Sequence, residues 1–306
     1  MIHDIDPHIF CNEYKNKKAT DNDFILIYYG NSVLLGDKDG EIVIPILSDF
    51  SDTDEDIKSQ AQFLFTIDGN DYYLLRDTVI NEYEKHEYPN DNNTKDKNVL
   101  SKYTKDKYAN DKYAYVNTGD YRYKAPMWKA FACAVGEQMN RWYRENKFCS
   151  KCGHLVTPHE TERALICTDC KRVIYPTISP AVIVAVVDGD RILMAMNNRG
   201  NYKKYALIAG YAEVGESIEE TVKREVFEEV GLHVKNIRYY KSQPWLFSDT
   251  LLMGFFAELD GSDHIVLQEE ELTEAIWFKR DEIPVNESKI SLTNEMIELF
   301  RSGKEL

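Results

Sequence analysis

The segment GYAEVGESIEETVKREVFEEVGL, residues 210–232, leaves a folding chain few choices. Ser217 with Glu220 three residues later forms a capping box, and Gly231 stands where a C-cap glycine belongs, so the spacing predicts a helix over 218–230. Ile218, Val222, Val226 and Val230 recur every four residues and make an apolar stripe that must pack on a core. At about 100° per residue, Glu225 lies about 60° from Glu228 and about 40° from Glu229, which crowds three carboxylates into an arc of roughly 100° beside that stripe. Like charges four residues apart destabilise an exposed helix by on the order of tenths of a kcal/mol, and by more when desolvated. A divalent cation reverses that penalty. Hard oxygen donors favour Mg2+ or Mn2+, which bind through a few carboxylates together with substrate phosphates. Arg224 has Glu220 and Glu228 each four residues away, so pairing with either would hold the carboxylates in place. Glu216, just ahead of the cap, either ligates through water or supports the loop.

A second pattern holds a different kind of metal. Cys149, Cys152, Cys167 and Cys170 give C-x2-C-x14-C-x2-C. Two such pairs can turn four thiolates toward one point, which satisfies tetrahedral Zn2+ and leaves no open position for chemistry. The zinc is therefore expected to be structural, with His154 and His159 as bystanders. Cys11 and Cys133 read as packing residues.

The remaining sequence sets the surroundings. A net charge of −15 repels polyanions, so phosphate must be met by metal ions or local basic groups. The N-terminal stretch lacks an apolar signal-like core, and no apolar run is long enough to span a bilayer, which points to the cytoplasm and away from membranes. Residues 23–80 alternate strand-like runs with Asp-Gly steps, as expected of antiparallel hairpins. Residues 84–124 turn to Lys, Asp, Asn and Tyr and read as an extended or partly disordered connection. Trp128, Phe131, Ala132, Val135, Met139 and Trp142 mark an amphipathic helix over 127–146. The expected organisation is α+β: a β-rich N-terminal domain over 1–126, helix plus four-Cys zinc ribbon over 127–177, and a third domain over 178–306.

The fixed positions Gly210, Glu216, Arg224, Glu225, Val226, Glu228, Glu229, Gly231 and Leu232 match, without exception, the signature of the Nudix hydrolases. The chain resembles that family. SQPWLF at 242–247, with the ribbon ahead of it, is similar to the SQPWPFPxS motif of the family's NADH pyrophosphatase subgroup. The resemblance implies a C-terminal α/β/α sandwich with a mixed sheet and strands near 180–196, 204–209, 233–242, 250–259 and 274–279. It implies Mg2+ or Mn2+ ligands at Glu225, Glu229, Glu274 and the Ala209 carbonyl, with Glu228 a further ligand or the base and Glu274 an alternative base. Substrate contacts would fall to Tyr175, Gln243, Pro244, Trp245, Phe247 and Thr250. The implied reaction is hydrolysis of the pyrophosphate of NADH- or NAD-type dinucleotides to AMP and nicotinamide mononucleotide, by a homodimer. Alternatives are removal of an NAD cap from the 5′ end of RNA, hydrolysis of ADP-ribose or dinucleoside polyphosphates, and a non-enzymatic ligand sensor. Leu246 and Ser248 stand where the subgroup has prolines, and Thr250 where it has serine, which removes backbone restriction from the loop.

Overall fold

The computed structural model describes residues 1–50, 58, 60–75, 108–198, 204–268, 270–285 and 288–304. It divides into two compact units, one of residues 2–177 and one of 178–306 with Met1.

In the first unit, strands β1 (Phe10–Cys11), β2 (Phe24–Tyr29), β3 (Ser32–Lys38), β4 (Glu41–Val43), β5 (Ala61–Ile67), β6 (Asn70–Leu75) and β7 (Ala114–Asn117) form one sheet in the order β1-β5-β6-β2-β3-β4, with β7 on β3. The Asp-Gly steps make the expected hairpins. Asp39 and Gly40 take φ of 56° and 85°, and Asp68 and Gly69 take 53° and 79°, the left-handed pair that matches the twist of antiparallel strands. Pairing of β2 with β6 is parallel, a long-range feature that no turn signals. Part of the anticipated 84–124 connection lies outside the described residues; within it, 114–117 is an edge strand.

Helix α1 (Met127–Glu145) is buried beyond the anticipated stripe: Ala130, Cys133, Ala134, Gly136 and Glu137 are also shielded. Glu137 is accommodated because Thr118 and Tyr121 donate hydroxyls to its carboxylate. The ribbon follows as β8 (Val156–Pro158), β9 (Leu165–Cys167) and β10 (Val173–Ile174), an antiparallel sheet. It is tied to the N-terminal sheet by Arg163, which donates to the carbonyls of Asn12 and Leu64, and by the Tyr14 hydroxyl on the His159 carbonyl.

The second unit contains β11 (Ser179–Asp188), β12 (Arg191–Asn197), β13 (Tyr205–Ala206), β14 (Ile208–Tyr211), helix α2 (Ile218–Val230), β15 (Val234–Trp245), β16 (Thr250–Leu259), β17 (Leu272–Lys279) and helix α3 (Leu292–Arg301). Its sheet is mixed: β11 and β16 are parallel, and the other pairs are antiparallel. The apolar run of β11 is continuous because both faces are covered. Val182, Val184 and Val186 pack with Val222, Val226 and Val230 of α2, whereas Ile183 and Ala185 pack with Leu292, Met296 and Phe300 of α3. One helix on each face of a mixed sheet is the α/β/α sandwich. Among the described residues no helix is long and apolar enough to cross a membrane.

Candidate active site

The cap chemistry of α2 forms as its sequence dictates. The Glu220 N–H donates to Ser217 Oγ at 3.3 Å, the Ser217 N–H donates back to Glu220 at 2.8 Å, and Gly231 closes the helix at φ 69°. With Val222, Val226 and Val230 fully buried, the flanking carboxylates are drawn inward: Glu229 is 6% exposed and Glu225 9%. Glu228, a third of a turn away, is half exposed.

The two inner carboxylates sit against β14. The Ala209 N–H donates to Glu229, and a Cβ at Gly210 would overlap the Glu225 carboxylate, so any side chain at 210 has to push that carboxylate aside. Gly210→Ala is expected to displace Glu225 and weaken Mg2+ binding at least about tenfold with a modest fall in Tm, because a buried overlap forces local repacking. A magnesium titration beside a thermal melt checks it; unchanged metal affinity would remove Glu225 from the site.

Arg224 is the cationic clasp of the loop and helix. Its guanidinium binds Glu216 through two nitrogens at 2.5 and 2.9 Å, and reaches Glu225 and Glu228 at 2.8 Å each and the Tyr211 carbonyl at 2.8 Å. The anticipated pairing with Glu228 forms; Glu220 is instead engaged in the cap. Hydrogen bonds from Arg224, and then from the Glu213 N–H, hold the Glu216 carboxyl down to about 2, so Glu216 is an anionic support for the arginine.

Glu225, Glu228 and Glu229 line a cleft of about 650 Å³ together with Trp245, Thr250, Leu252, Ser291 and Thr293. Burial, then the charges of Glu225 and Glu271, push Glu229 up to about 8. Burial also raises Glu225, against the opposing pull of Arg224. The sign of the linkage follows. Between pH 4.5 and 8 folded Glu229 holds a proton that the unfolded chain has lost, so the metal-free protein loses stability as pH rises through that window. A bound cation expels the proton. The rise in Tm on adding Mg2+ is accordingly expected to be larger at pH 8.5 than at pH 6, as thermal melts at the two pH values would show; an equal rise would contradict the cluster's electrostatics.

The residues fit both metals by different criteria. In the ribbon, the Sγ atoms of Cys149, Cys152, Cys167 and Cys170 all lie within 4.8 Å of one another, with Cys149–Cys170 at 3.6 Å and Cys152–Cys167 at 3.4 Å. A tetrahedron with Zn–S bonds of about 2.3 Å has edges of about 3.8 Å. The four thiols therefore make a closed zinc cage. In the cleft, no three carboxylates among the described residues converge within that 4.8 Å limit. Spread oxygens with raised proton affinity suit hard ions completed by water and phosphate rather than a cage.

The structure places several of the anticipated contact residues away from the lining of the cleft. Glu274 is exposed on β17 opposite Met196, its carboxylate is engaged by the Tyr205 hydroxyl, and it does not line the cleft. Glu271, three residues earlier, does. The Asn198 N–H donates to its carbonyl at 2.7 Å, and its charge raises both Glu225 and Glu229. Gln243 is fully buried and bonds main chain instead of facing the cleft. Pro244 and Phe247 do not line it either; Phe247 packs edge-on against Trp245 at 5.1 Å. Tyr175 belongs to the first unit, is 58% exposed and donates to Glu162 at 2.6 Å. Trp245 and Thr250 do line the cleft. So does Tyr211, which the sequence did not single out; its hydroxyl lies 3.1 Å from Thr250 Oγ1.

A mixed sheet between two helices, with capped, acidic α2 over the cleft, defines the C-terminal unit as a Nudix fold, and residues 177–300 match the NUDIX domain family. Residues 144–175 match the NADH pyrophosphatase zinc ribbon domain, so a ribbon of that kind directly precedes the Nudix domain in this chain. It is 43% identical over 163 residues to a protein named NAD-capped RNA hydrolase NudC from Enterobacter sp. (strain 638), and 42% identical to the protein of that name from Escherichia coli O9:H4 (strain HS). Each match covers 53% of this chain and 63% of the relative, so the chain spans under two thirds of those proteins. Among solved structures, a Nudix hydrolase from Nitrosomonas europaea is similar at 25% identity, covering 51% of this chain and 91% of that one, with a TM-score of 0.45.

Proposed function

We propose that this protein hydrolyses the pyrophosphate bond of NADH- or NAD-type dinucleotides, giving AMP and nicotinamide mononucleotide. The observation that carries the reading is a single cleft lined by the four carboxylates Glu225, Glu228, Glu229 and Glu271 and also by Trp245, Thr250, Ser291 and Thr293. The acids suit metal-bound phosphates, and an indole with hydroxyls in the same cleft suits a nucleobase and ribose. Glu225, Glu229 and Glu271, with Glu228 at the rim, would hold Mg2+ or Mn2+, and the Ala209 carbonyl remains a proposed further ligand. When bound, such ions neutralise phosphate oxygens and lower the pKa of water.

The chain's own groups then have distinct tasks. Glu228, half exposed and steered by Arg224, accepts the proton of the attacking water. The new bond joins that water oxygen to phosphorus, and the bond from phosphorus to the bridging oxygen breaks, leaving two monophosphates. Arg224 keeps Glu225 and Glu228 from swinging apart as charge redistributes. Zinc in the ribbon would be structural.

Product chromatography from NADH, NAD, ADP-ribose and dinucleoside polyphosphates with Mg2+ or Mn2+ tests the reading. AMP and the mononucleotide from NADH are expected; turnover of ADP-ribose alone would replace it. A second reading, removal of an NAD cap from RNA, is favoured by the similarity to proteins named NAD-capped RNA hydrolases. It makes the same cut on a longer substrate, and comparison of NADH with a capped oligonucleotide separates the two. A cytoplasmic homodimer is part of the proposal, and light scattering checks the dimer.

A further inference from the structure

Gln243 sits in the middle of SQPW, on β15 opposite Leu252 of β16, yet its side chain is fully buried. Both ends of the amide are engaged by one short stretch of backbone. Nε2 donates to the Ile290 carbonyl at 2.8 Å, and the Leu292 N–H donates to Oε1 at 2.7 Å. One side chain thus grips the main chain on either side of Ser291, as a neighbouring strand would.

The gripped stretch alternates. Ile290 and Leu292 are buried, 5% and 0% exposed, while Ser291 and Thr293 line the cleft. Ser291 also caps α3, accepting the Asn294 N–H at 3.3 Å. The helix packs on β11, β15 and β16 through Leu292, Met296 and Phe300, which fixes its body but not the approach of its first residues. That approach is set by the Gln243 amide and the Ser291 cap. Without Gln243, the buried Leu292 N–H has no partner on this side, and the stretch must shift to reach water or another acceptor.

The acids and the gripped stretch come to the cleft from different sides: α2 packs on one face of the sheet with Val182, Val184 and Val186, and α3 packs on the other with Ile183 and Ala185. A group that orders the α3 side bears on how a substrate is held there rather than on the acid cluster itself.

We propose that Gln243 is a positioning residue that sets the α3 wall of the cleft by clasping residues 290–292, and so governs binding of the nucleoside end of a dinucleotide through Ser291 and Thr293. The inference rests on reading the cleft as a dinucleotide site. Its effect belongs in KM, because an interaction made equally in ground and transition states leaves kcat in place.

Steady-state hydrolysis of NADH with Mg2+ by the full chain tests it, with Gln243→Leu, Gln243→Glu, Thr293→Val and the Gln243→Leu/Thr293→Val double variant. Gln243→Leu is expected to raise KM about tenfold, lower kcat by no more than about threefold and leave the Mg2+ dependence unmoved. Thr293→Val raises KM alone but adds little in the Gln243→Leu background, since the wall it belongs to has already been released. Gln243→Glu retains an acceptor for Leu292 but loses the donor to Ile290, so its KM falls between; it also serves should the leucine variant not fold. Amide exchange gives a readout independent of turnover: the Leu292 N–H exchanges at least about tenfold faster in Gln243→Leu, while the second half of α3 stays protected. Full additivity of the two substitutions, a fall in kcat that matches the loss of folded protein, or unchanged Leu292 exchange would each overturn the proposal. A native protein that does not cleave NADH would instead remove the reading on which it rests.

Discussion

Replacement of Glu229 by Gln is expected to lower metal-dependent turnover at least about a thousandfold while leaving the zinc content and the fold in place. The substitution keeps the shape of the side chain and an oxygen to accept the Ala209 N–H, so the contact between α2 and β14 survives. What it removes is a carboxylate that burial, Glu225 and Glu271 have raised to about 8, the group of the cluster with most to gain from a cation. Loss of one ligand to ions that stabilise the transition state by several kcal/mol accounts for a factor of about 10³. The metal-free variant should also melt no lower than the native protein at pH 8, because a buried charge has been deleted rather than created. Turnover, zinc content and Tm measured on the same preparation test all three parts. Near-native activity would exclude Glu229 as a ligand, and a collapse of Tm would mean that its role is packing.

The readable parts of this protein are those whose determinants lie close together in the chain. Helix α2 spans Ile218–Val230, the limits that Ser217, Glu220 and Gly231 set in advance, because caps act over three or four residues. The cysteine spacing foretells the ribbon for the same reason: each pair is local, and only one geometry brings two pairs together. What sequence periodicity missed depends on distant partners. The breadth of the buried face of α1 comes from the sheet that it packs on, and Glu137 becomes tolerable inside only when Thr118 and Tyr121 arrive to donate to it. The parallel pairing of β2 with β6 has no turn to announce it. Gln243 and Trp245 both belong to the SQPW motif, and only Trp245 lines the cleft. Residues two apart in a strand share a face, so alternation cannot separate the pair; what does is the distant 290–292 stretch, which hydrogen-bonds to Gln243.

Glu271 and Glu274 extend that lesson to a measurable outcome. Both precede or enter β17, both are glutamates in EELTEAIW, and spacing alone favours neither. The turn decides. Glu271 lies just before the strand, its N–H bonded to the Gln268 carbonyl at 3.1 Å and its own carbonyl receiving the Asn198 N–H, and this aims it into the cleft beside Glu225 and Glu229. Glu274 has entered the ladder opposite Met196, where its carboxylate meets the Tyr205 hydroxyl at the exposed surface. Glu271→Gln is therefore expected to lower turnover by about 10² to 10³ and to shift the Mg2+ requirement upward, since a charge that faces the ions is gone. Glu274→Gln should change turnover by no more than about threefold, because an amide oxygen still accepts from Tyr205 and an exposed contact of this kind contributes little. Magnesium titrations of both variants with NADH decide between the positions. If the larger loss followed Glu274 instead, the 268–274 segment would have to rearrange when metal binds, and the acid cluster seen in the cleft would not be the one that acts.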